Sequence, residues 1–125
     1  MHKKYGYTIK EWNAAKKEMH AILVEIAKMK NTIPYSELVQ KIKTIVLEPE
    51  SYALANMLGE ISKEEDLKNQ GMLSVIVVHK DGDMQPGEGF FKYAEELGRD
   101  TSDKLKCWIE ELNRVHGFWS NNKSK

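Results

Sequence analysis

The side chains that could carry out chemistry are few and scattered along this chain. It contains one cysteine, Cys107, and four histidines. No two histidines lie three or four residues apart, the spacing that would place two metal ligands on one helix face. Cys107 cannot form an intrachain disulfide, and it stands beside Trp108 in a helical pattern that lacks the neighbours of a reactive thiol. We therefore expect no enzyme activity, no catalytic residue, no metal site and no cofactor.

Residues 79–89 are rich in glycine and acidic residues. The acidic residues lack the later carboxylate that completes an EF-hand calcium site. The glycines precede Phe90 and Phe91, so their backbone amides would lie at a helix N-terminus, where anions bind. They would equally allow the two phenylalanines to pack under a sheet. The candidate ligand loop consists of Asp81, Gly87, Glu88 and Gly89.

These residues follow the only long apolar run, Met72-Leu-Ser-Val-Ile-Val-Val-His79. A continuous run of this kind, rather than alternation, is typical of a strand buried on both faces. Asp81-Gly82 is a favoured pair for a tight turn. Residues 84–85 would start a return strand, which Pro86 ends. The sequence therefore predicts a small β-hairpin over residues 72–86, with helices packed on both sides.

The first two predicted helices of the chain follow from local signals and helical periodicity. The first begins after a capping box, Thr8 to Glu11, and runs to about Met29. The second begins near Tyr35, after Pro34 and a short strand at residues 32–33 that could pair with the central one. The apolar seam of the first helix follows the helical period: Trp12, Ala15, Met19, Ile22, Ile26 and Met29.

A third helix is expected to start after Ser51 and to stop or bend at a second capping box, residues 62–65, from which a short helix runs to about Gln70. Two more helices would span residues 89–97 and 103–118. Glu60 of the third helix could meet His79 as a general acid–base pair, although no spacing requires it. The fold class is therefore α+β and mostly helical.

The length of 125 residues indicates one domain, which we place at residues 1–119, followed by a frayed polar tail at 120–125. The formal net charge is zero, from 19 basic and 19 acidic residues. The ends are basic and the middle is acidic, so a global polyanion-binding surface is not supported. No signal peptide or membrane-spanning run is visible. We expect a soluble, cytoplasmic protein without a membrane partner.

The order of predicted elements is that of a winged helix-turn-helix with extra N- and C-terminal helices. Three segments resemble the C-terminal domain of the alkylguanine-DNA alkyltransferases and alkyltransferase-like proteins: Ile33-Pro-Tyr-Ser-Glu-Leu38, Tyr52-Ala-Leu-Ala-Asn-Met-Leu-Gly59 and Val77-Val-His-Lys-Asp-Gly82. The resemblance covers about fifty residues. It implies a winged-helix fold in which a small-residue helix enters the DNA minor groove.

The chain departs from that family at the reactive block, Pro-Cys-His-Arg-Val-Val. Aligned by the two valines and the Asp-Gly pair, the family's cysteine falls on Ser74, and its His and Arg fall on Val75 and Ile76. A serine without a base is a poor nucleophile, so alkyl transfer is not carried over. The family's minor-groove arginine also lacks a counterpart, because residues 51–61 contain no Lys or Arg.

A second resemblance indicates a protein family but implies no activity. The run from Leu73 to Lys80, followed by Gln85-Pro-Gly-Glu-Gly-Phe-Phe91, is similar to a block in small bacterial proteins of unassigned function.

We expect a non-enzymatic binding module that favours DNA. The alternatives are a protein-interaction or accessory role, with another protein or a second copy as partner, and a small-ligand binder that uses residues 81–89. Tyrosines at helix starts can stack on bases, and a wing lysine can contact phosphate. The candidate partner-binding residues are Tyr35, Ser36, Tyr52, Asn56 and Lys80.

Overall fold

The computed structural model describes residues 3–4, 6–49, 51–79 and 87–121. Within these ranges the chain is mostly helical with two small pairs of strands, which confirms the α+β, mostly helical class. The elements in chain order are β1 (Lys3–Lys4), β2 (Tyr7–Thr8), α1 (Ile9–Lys28), β3 (Ile33–Pro34), α2 (Tyr35–Lys41), α3 (Tyr52–Leu67), a 3-10 helix (Leu73–Ile76), β4 (Val77–Val78), α4 (Glu88–Glu96) and α5 (Lys104–Asn121).

The apolar run at the middle of the chain is the centre of the core. Every residue from Met72 to Val78 is buried. The 3-10 helix contacts α1, α3 and α5, and the Trp108 indole of α5 donates to the Val75 carbonyl at 3.1 Å. The prediction that helices cover this run on more than one side is confirmed.

The prediction of one long strand from residue 72 to 79 is wrong for its first half. Residues 73–76 form the 3-10 helix, in which the Val75 amide donates to the Met72 carbonyl at 3.0 Å. Only Val77 and Val78 are extended, and they pair in parallel with β3 through Ile33 opposite Val77. A continuous apolar run indicates burial on all sides, but its periodicity does not separate a strand from a buried helical turn.

In the described part of the predicted hairpin, residues 72–79, a 3-10 helix and a two-residue strand therefore replace the first hairpin strand. The turn at 81–82 and the return strand at 84–85 lie outside the described residues. The short strand predicted before α2 is present as β3 and pairs with the central segment as expected. The pair of β1 with β2, antiparallel with Lys3 opposite Thr8, is an addition that the sequence did not predict.

The helix α1 begins where the capping box predicts, with the Thr8 hydroxyl accepting from the Glu11 amide at 3.0 Å. Its buried seam differs from the predicted one after Met19. Leu23 and Ala27 are buried, whereas Met29 is 60% exposed. The predicted seam used a spacing of 3.5 residues, and a straight helix of 3.6 residues per turn drifts away from it.

The helix α3 runs without a break through the second predicted capping box. The Ser62 hydroxyl accepts from the Ser74 amide rather than from the amide three residues ahead. A tertiary contact thus replaces the local cap. At the other end of the chain, α5 continues to Asn121, so residues 120 and 121 of the predicted tail are helical, and residues 122–125 lie outside the described ranges.

In the described ranges, no helix combines the length and the apolar composition that crossing a bilayer requires.

Candidate functional site

A pocket of about 220 Å³ opens between α3 and the start of α4. Its floor is formed by buried side chains, including Leu54 and Leu58 of α3 and Phe90 of α4. The exposed residues His79 and Gly89 lie in its wall as well, so the pocket joins the core to the surface. The other residues of its wall are Tyr35, Pro49, Ser51, Ala55, Gly59, Ser74, Gly87, Glu88 and Tyr93.

One side of the pocket is formed by Tyr35, the first residue of α2. Its hydroxyl accepts from the Gly87 amide at 2.9 Å, and its ring lies 5.1 Å from the His79 ring, centre to centre. Burial raises the pKa of the Tyr35 phenol, although the Gly87 amide opposes this shift. The phenol is therefore neutral at physiological pH and keeps its own hydrogen for donation.

Gly87 lies close to both rings of this side of the pocket. A Cβ at this position would lie 3.2 Å from His79 Nε2 and 3.4 Å from the Tyr35 hydroxyl. The first distance is short enough that a side chain here would require His79 to shift by a few tenths of an ångström, whereas the second is an ordinary contact. The predicted ligand loop therefore contributes to the pocket, but the Gly87 amide is already used by Tyr35 rather than free for an anion.

The opposite side is formed by Tyr93 of α4, which lies against Gly59 of α3. A Cβ on Gly59 would be 2.3 Å from two Tyr93 ring atoms. The Tyr93 hydroxyl donates to Asn56 Oδ1 at 3.2 Å, and the Lys63 ammonium lies 4.7 Å from the centre of the Tyr93 ring. Two tyrosines from separate elements thus face one cavity.

The structure brings together some of the residues that the sequence singled out. Tyr35, Gly87, Glu88 and Gly89 all line the pocket. Glu88, in the first turn of α4, pairs with the Lys104 ammonium at 3.0 Å. Its negative charge at the helix N-terminus makes this an unfavourable place for an anion, so the structure gives no support to an anion site there.

The remaining candidates lie beside the pocket or outside the described residues. Tyr52, at the start of α3, is 82% exposed. Asn56 connects it to the pocket, because its amide nitrogen donates to the Tyr52 carbonyl while its oxygen accepts from Tyr93. Ser36 is half-buried on α2, next to Tyr35. Lys80 and Asp81 lie outside the described residues.

Glu60 and His79 do not come together. Glu60 faces α1, where it accepts from the Trp12 indole at 2.9 Å and from the Lys16 ammonium at 3.3 Å. His79 lines the pocket, whose wall does not include Glu60. The acid–base hypothesis thus has no geometric support, because general catalysis requires both groups within reach of one reacting atom.

Sequence reasoning missed Ser51 and Gly59 as pocket residues, considered Tyr93 only as a surface tyrosine that could stack on a base, and reached Ser74 only through the resemblance. The isolated Gly59 inside an apolar helix was the one available signal, because such a glycine often has a packing reason. Its partner, Tyr93, lies more than thirty residues later, and no local pattern links the two.

In the part of the chain that the structure describes, no three His, Cys, Asp or Glu side chains converge in a way that could hold a metal ion. Comparison with protein-family models, with curated proteins and with solved structures gives no match.

Proposed function

We propose that this protein is a non-enzymatic nucleic-acid-binding module with a winged-helix-like core, in which α3 faces DNA and the adjacent pocket takes an unstacked base. The observation that carries the proposal is the position of Tyr52. This tyrosine is 82% exposed and immediately follows Ser51, which lines the pocket. An exposed aromatic ring beside an aromatic-walled cavity is the arrangement that proteins use to hold one base and stack on its neighbour.

The size of the pocket supports a single ring system. Its volume of about 220 Å³ is below the roughly 300–1,000 Å³ of sites for drug-sized ligands. The Tyr35 and His79 rings and the buried Phe90 give it flat aromatic surfaces. A base removed from its stack offers the matching flat faces, together with polar edges that need hydrogen-bond partners.

The resemblance to the alkyltransferase-like family is consistent with this proposal. The position that corresponds to the family's reactive cysteine, Ser74, lines the pocket. Its hydroxyl accepts from Ser62, and a serine that contacts another serine rather than a base is a poor nucleophile. The proposal is therefore recognition of a base without transfer of a group.

The charges near α3 predict a weak dependence of binding on salt. Residues 51–62 contain no Lys or Arg, and Lys63 is the first cation on the helix. Each phosphate contact by a cation makes the slope of log K against log salt more negative by about 0.7–0.9. We expect a slope of about −1 to −2, since base stacking rather than phosphate neutralisation would supply most of the affinity.

Fluorescence anisotropy with labelled DNA tests the proposal. The probes are a duplex with one unpaired base, the same duplex fully paired, and a single strand, all at low salt. We expect the first and third to bind more tightly than the paired duplex. Tyr52→Ala should weaken this binding by about tenfold, the loss expected for one stacked base. Leu67→Ala, which changes an 85% exposed side chain at the far end of the same helix, is the matched control.

Absence of binding by all three probes, or equal affinity of Tyr52→Ala and wild type, would contradict the proposal. A mass measurement in solution would then test the alternative of a protein partner or a second copy.

The second candidate function is small-ligand binding without nucleic acid. It is favoured by the pocket itself, which places three residues of the predicted loop, Gly87, Glu88 and Gly89, around an apolar floor.

A further inference from the structure

Two serine hydroxyls meet at the pocket. Ser62 of α3 is fully buried, and Ser74 of the 3-10 helix is 6% exposed and lines the pocket. The Ser62 hydroxyl accepts from the Ser74 amide at 3.0 Å and donates to the Ser74 hydroxyl oxygen at 2.6 Å. Ser62 therefore holds Ser74 at two points, its backbone and its side chain.

The direction of the hydroxyl–hydroxyl bond follows from counting hydrogens. A serine hydroxyl has one hydrogen and two lone pairs. Were Ser74 the donor, the Ser62 hydrogen would need another acceptor, and the bonds of Ser62 in the described structure reach Ser74 alone. An unpaired hydrogen at a fully buried position is unfavourable. Ser62 is accordingly the donor, and the Ser74 hydrogen remains for a group in the pocket.

We infer that Ser74 is a specificity-determining donor, and that the pocket selects a planar ring whose inner edge presents a hydrogen-bond acceptor, either a carbonyl oxygen or an unprotonated ring nitrogen. Ser62 is a positioning residue, because it orients the Ser74 hydroxyl without touching the ligand. The inference rests on the proposed pocket function and adds the chemistry of the ligand's edge. The Leu54 and Leu58 side chains beside Ser74 offer no partner to a polar edge, and the Tyr35 hydroxyl elsewhere in the wall is a second donor that Ser74→Ala leaves unchanged.

The contrast with Ser51 supports the assignment. Ser51 also lines the pocket, but its hydroxyl accepts from the Leu54 amide at 3.2 Å and donates to the Glu48 carbonyl at 2.9 Å. Its hydrogen is committed to the N-terminus of α3, so it is not available to a ligand. Ser51 thus provides a matched serine in the same wall without the proposed role.

The experiment compares indole with benzimidazole, two bicyclic rings of one shape that differ in a single ring nitrogen acceptor. Binding is followed by NMR titration of the full-length, isotope-labelled protein near pH 8, where benzimidazole is neutral. We expect benzimidazole to bind about fivefold more tightly than indole, the ratio that one net hydrogen bond supplies. In Ser74→Ala the two probes should bind with equal affinity, whereas Ser51→Ala should keep the preference.

The positioning role of Ser62 is tested by Ser62→Ala, which should reduce the preference, and by Ser62→Thr, which retains the hydroxyl and should restore it. If Ser62→Ala does not fold, the relative affinity of Ser74→Ala for the two probes tests the inference by itself. Equal binding of both probes to wild type, no binding of either, or a preference that survives Ser74→Ala would overturn the inference. A clear preference without any DNA binding would instead reject only the nucleic-acid function.

Discussion

The close contact between Gly59 and Tyr93 forms one wall of the pocket, and it is possible because glycine has no side chain. Gly59 is in the interior of α3, where glycine costs roughly 1 kcal/mol relative to alanine. The Tyr93 ring occupies the space that a Cβ would take, since that atom would lie 2.3 Å from the ring. The loss in helix propensity is offset by the close packing of α4 on α3, and this packing places the Tyr93 hydroxyl against Asn56.

We predict that Gly59→Ala destabilises the protein by about 1–3 kcal/mol, the usual cost of inserting a methyl group into a packed site. The cost arises because Tyr93 or the backbone of α4 must move. Equilibrium urea unfolding monitored by circular dichroism measures it.

Gly89→Ala is the control for that substitution. Gly89 is also helical, but a Cβ there would lie 3.8 Å from the Ala55 Cβ, an ordinary contact. The free energy of unfolding of Gly89→Ala should exceed that of wild type by no more than about 1 kcal/mol. A Gly59→Ala variant as stable as Gly89→Ala would show that the Tyr93 contact is not tight.

At the scale of elements, an ion cluster connects α3, the segment before α5, and α5 itself. Arg99 lies 3.0 Å from Glu111 Oε1 through its Nε, and its Nη1 donates to Asp66 Oδ2 at 3.0 Å. Glu111 is 1% exposed and also accepts from the Met72 amide at 2.8 Å. Hydrogen bonds to Asp66 and Glu111 outweigh burial and raise the pKa of Arg99. The cluster fixes the start of the buried central segment between two helices.

We predict that Arg99→Met lowers the free energy of unfolding by about 3–5 kcal/mol, since it leaves the buried Glu111 carboxylate without its main partner. Arg114→Met is the control, because the Arg114 side chain is 58% exposed and lies 3.5 Å from the same carboxylate. Exposed ion pairs contribute at most about 1 kcal/mol. Chemical denaturation of both variants gives the comparison, and similar losses would contradict a special role for Arg99.

At the scale of the whole molecule, the core encloses the one cysteine of the chain. Cys107 of α5 is 4% exposed and belongs to the same apolar cluster as the central segment. Burial raises the pKa of its thiol, and the nearby Glu111 adds to this shift. A buried thiol with a raised pKa is a weak nucleophile, because the thiolate is the reactive form.

We predict that Cys107 reacts with a thiol reagent such as dithionitrobenzoate at least about 100-fold more slowly in the native protein than in denaturant. This protection corresponds to an opening free energy of about 2.7 kcal/mol or more. The rate of colour development measures it, with the denatured protein as the reference. Immediate reaction of the native thiol would mean that α5 detaches readily from the core.

Local signals in the sequence determined most of the helices. Thr8 with Glu11, and Ser51 alone, start α1 and α3 where the capping rules place them, because a cap forms between residues three apart in the chain. The apolar run from Met72 identified the centre of the core, since burial of apolar surface is the dominant favourable term in folding.

Only the tertiary structure decided what that run became and where the pocket formed. Residues 73–76 form a 3-10 helix, and Ser62 does not cap a helix as predicted. Its hydroxyl instead forms a hydrogen bond with Ser74, twelve residues later in the chain. The pocket likewise depends on Tyr35 meeting Gly87, and Gly59 meeting Tyr93. Capping and periodicity act within a few residues, whereas these contacts depend on how whole elements pack, which no local pattern encodes.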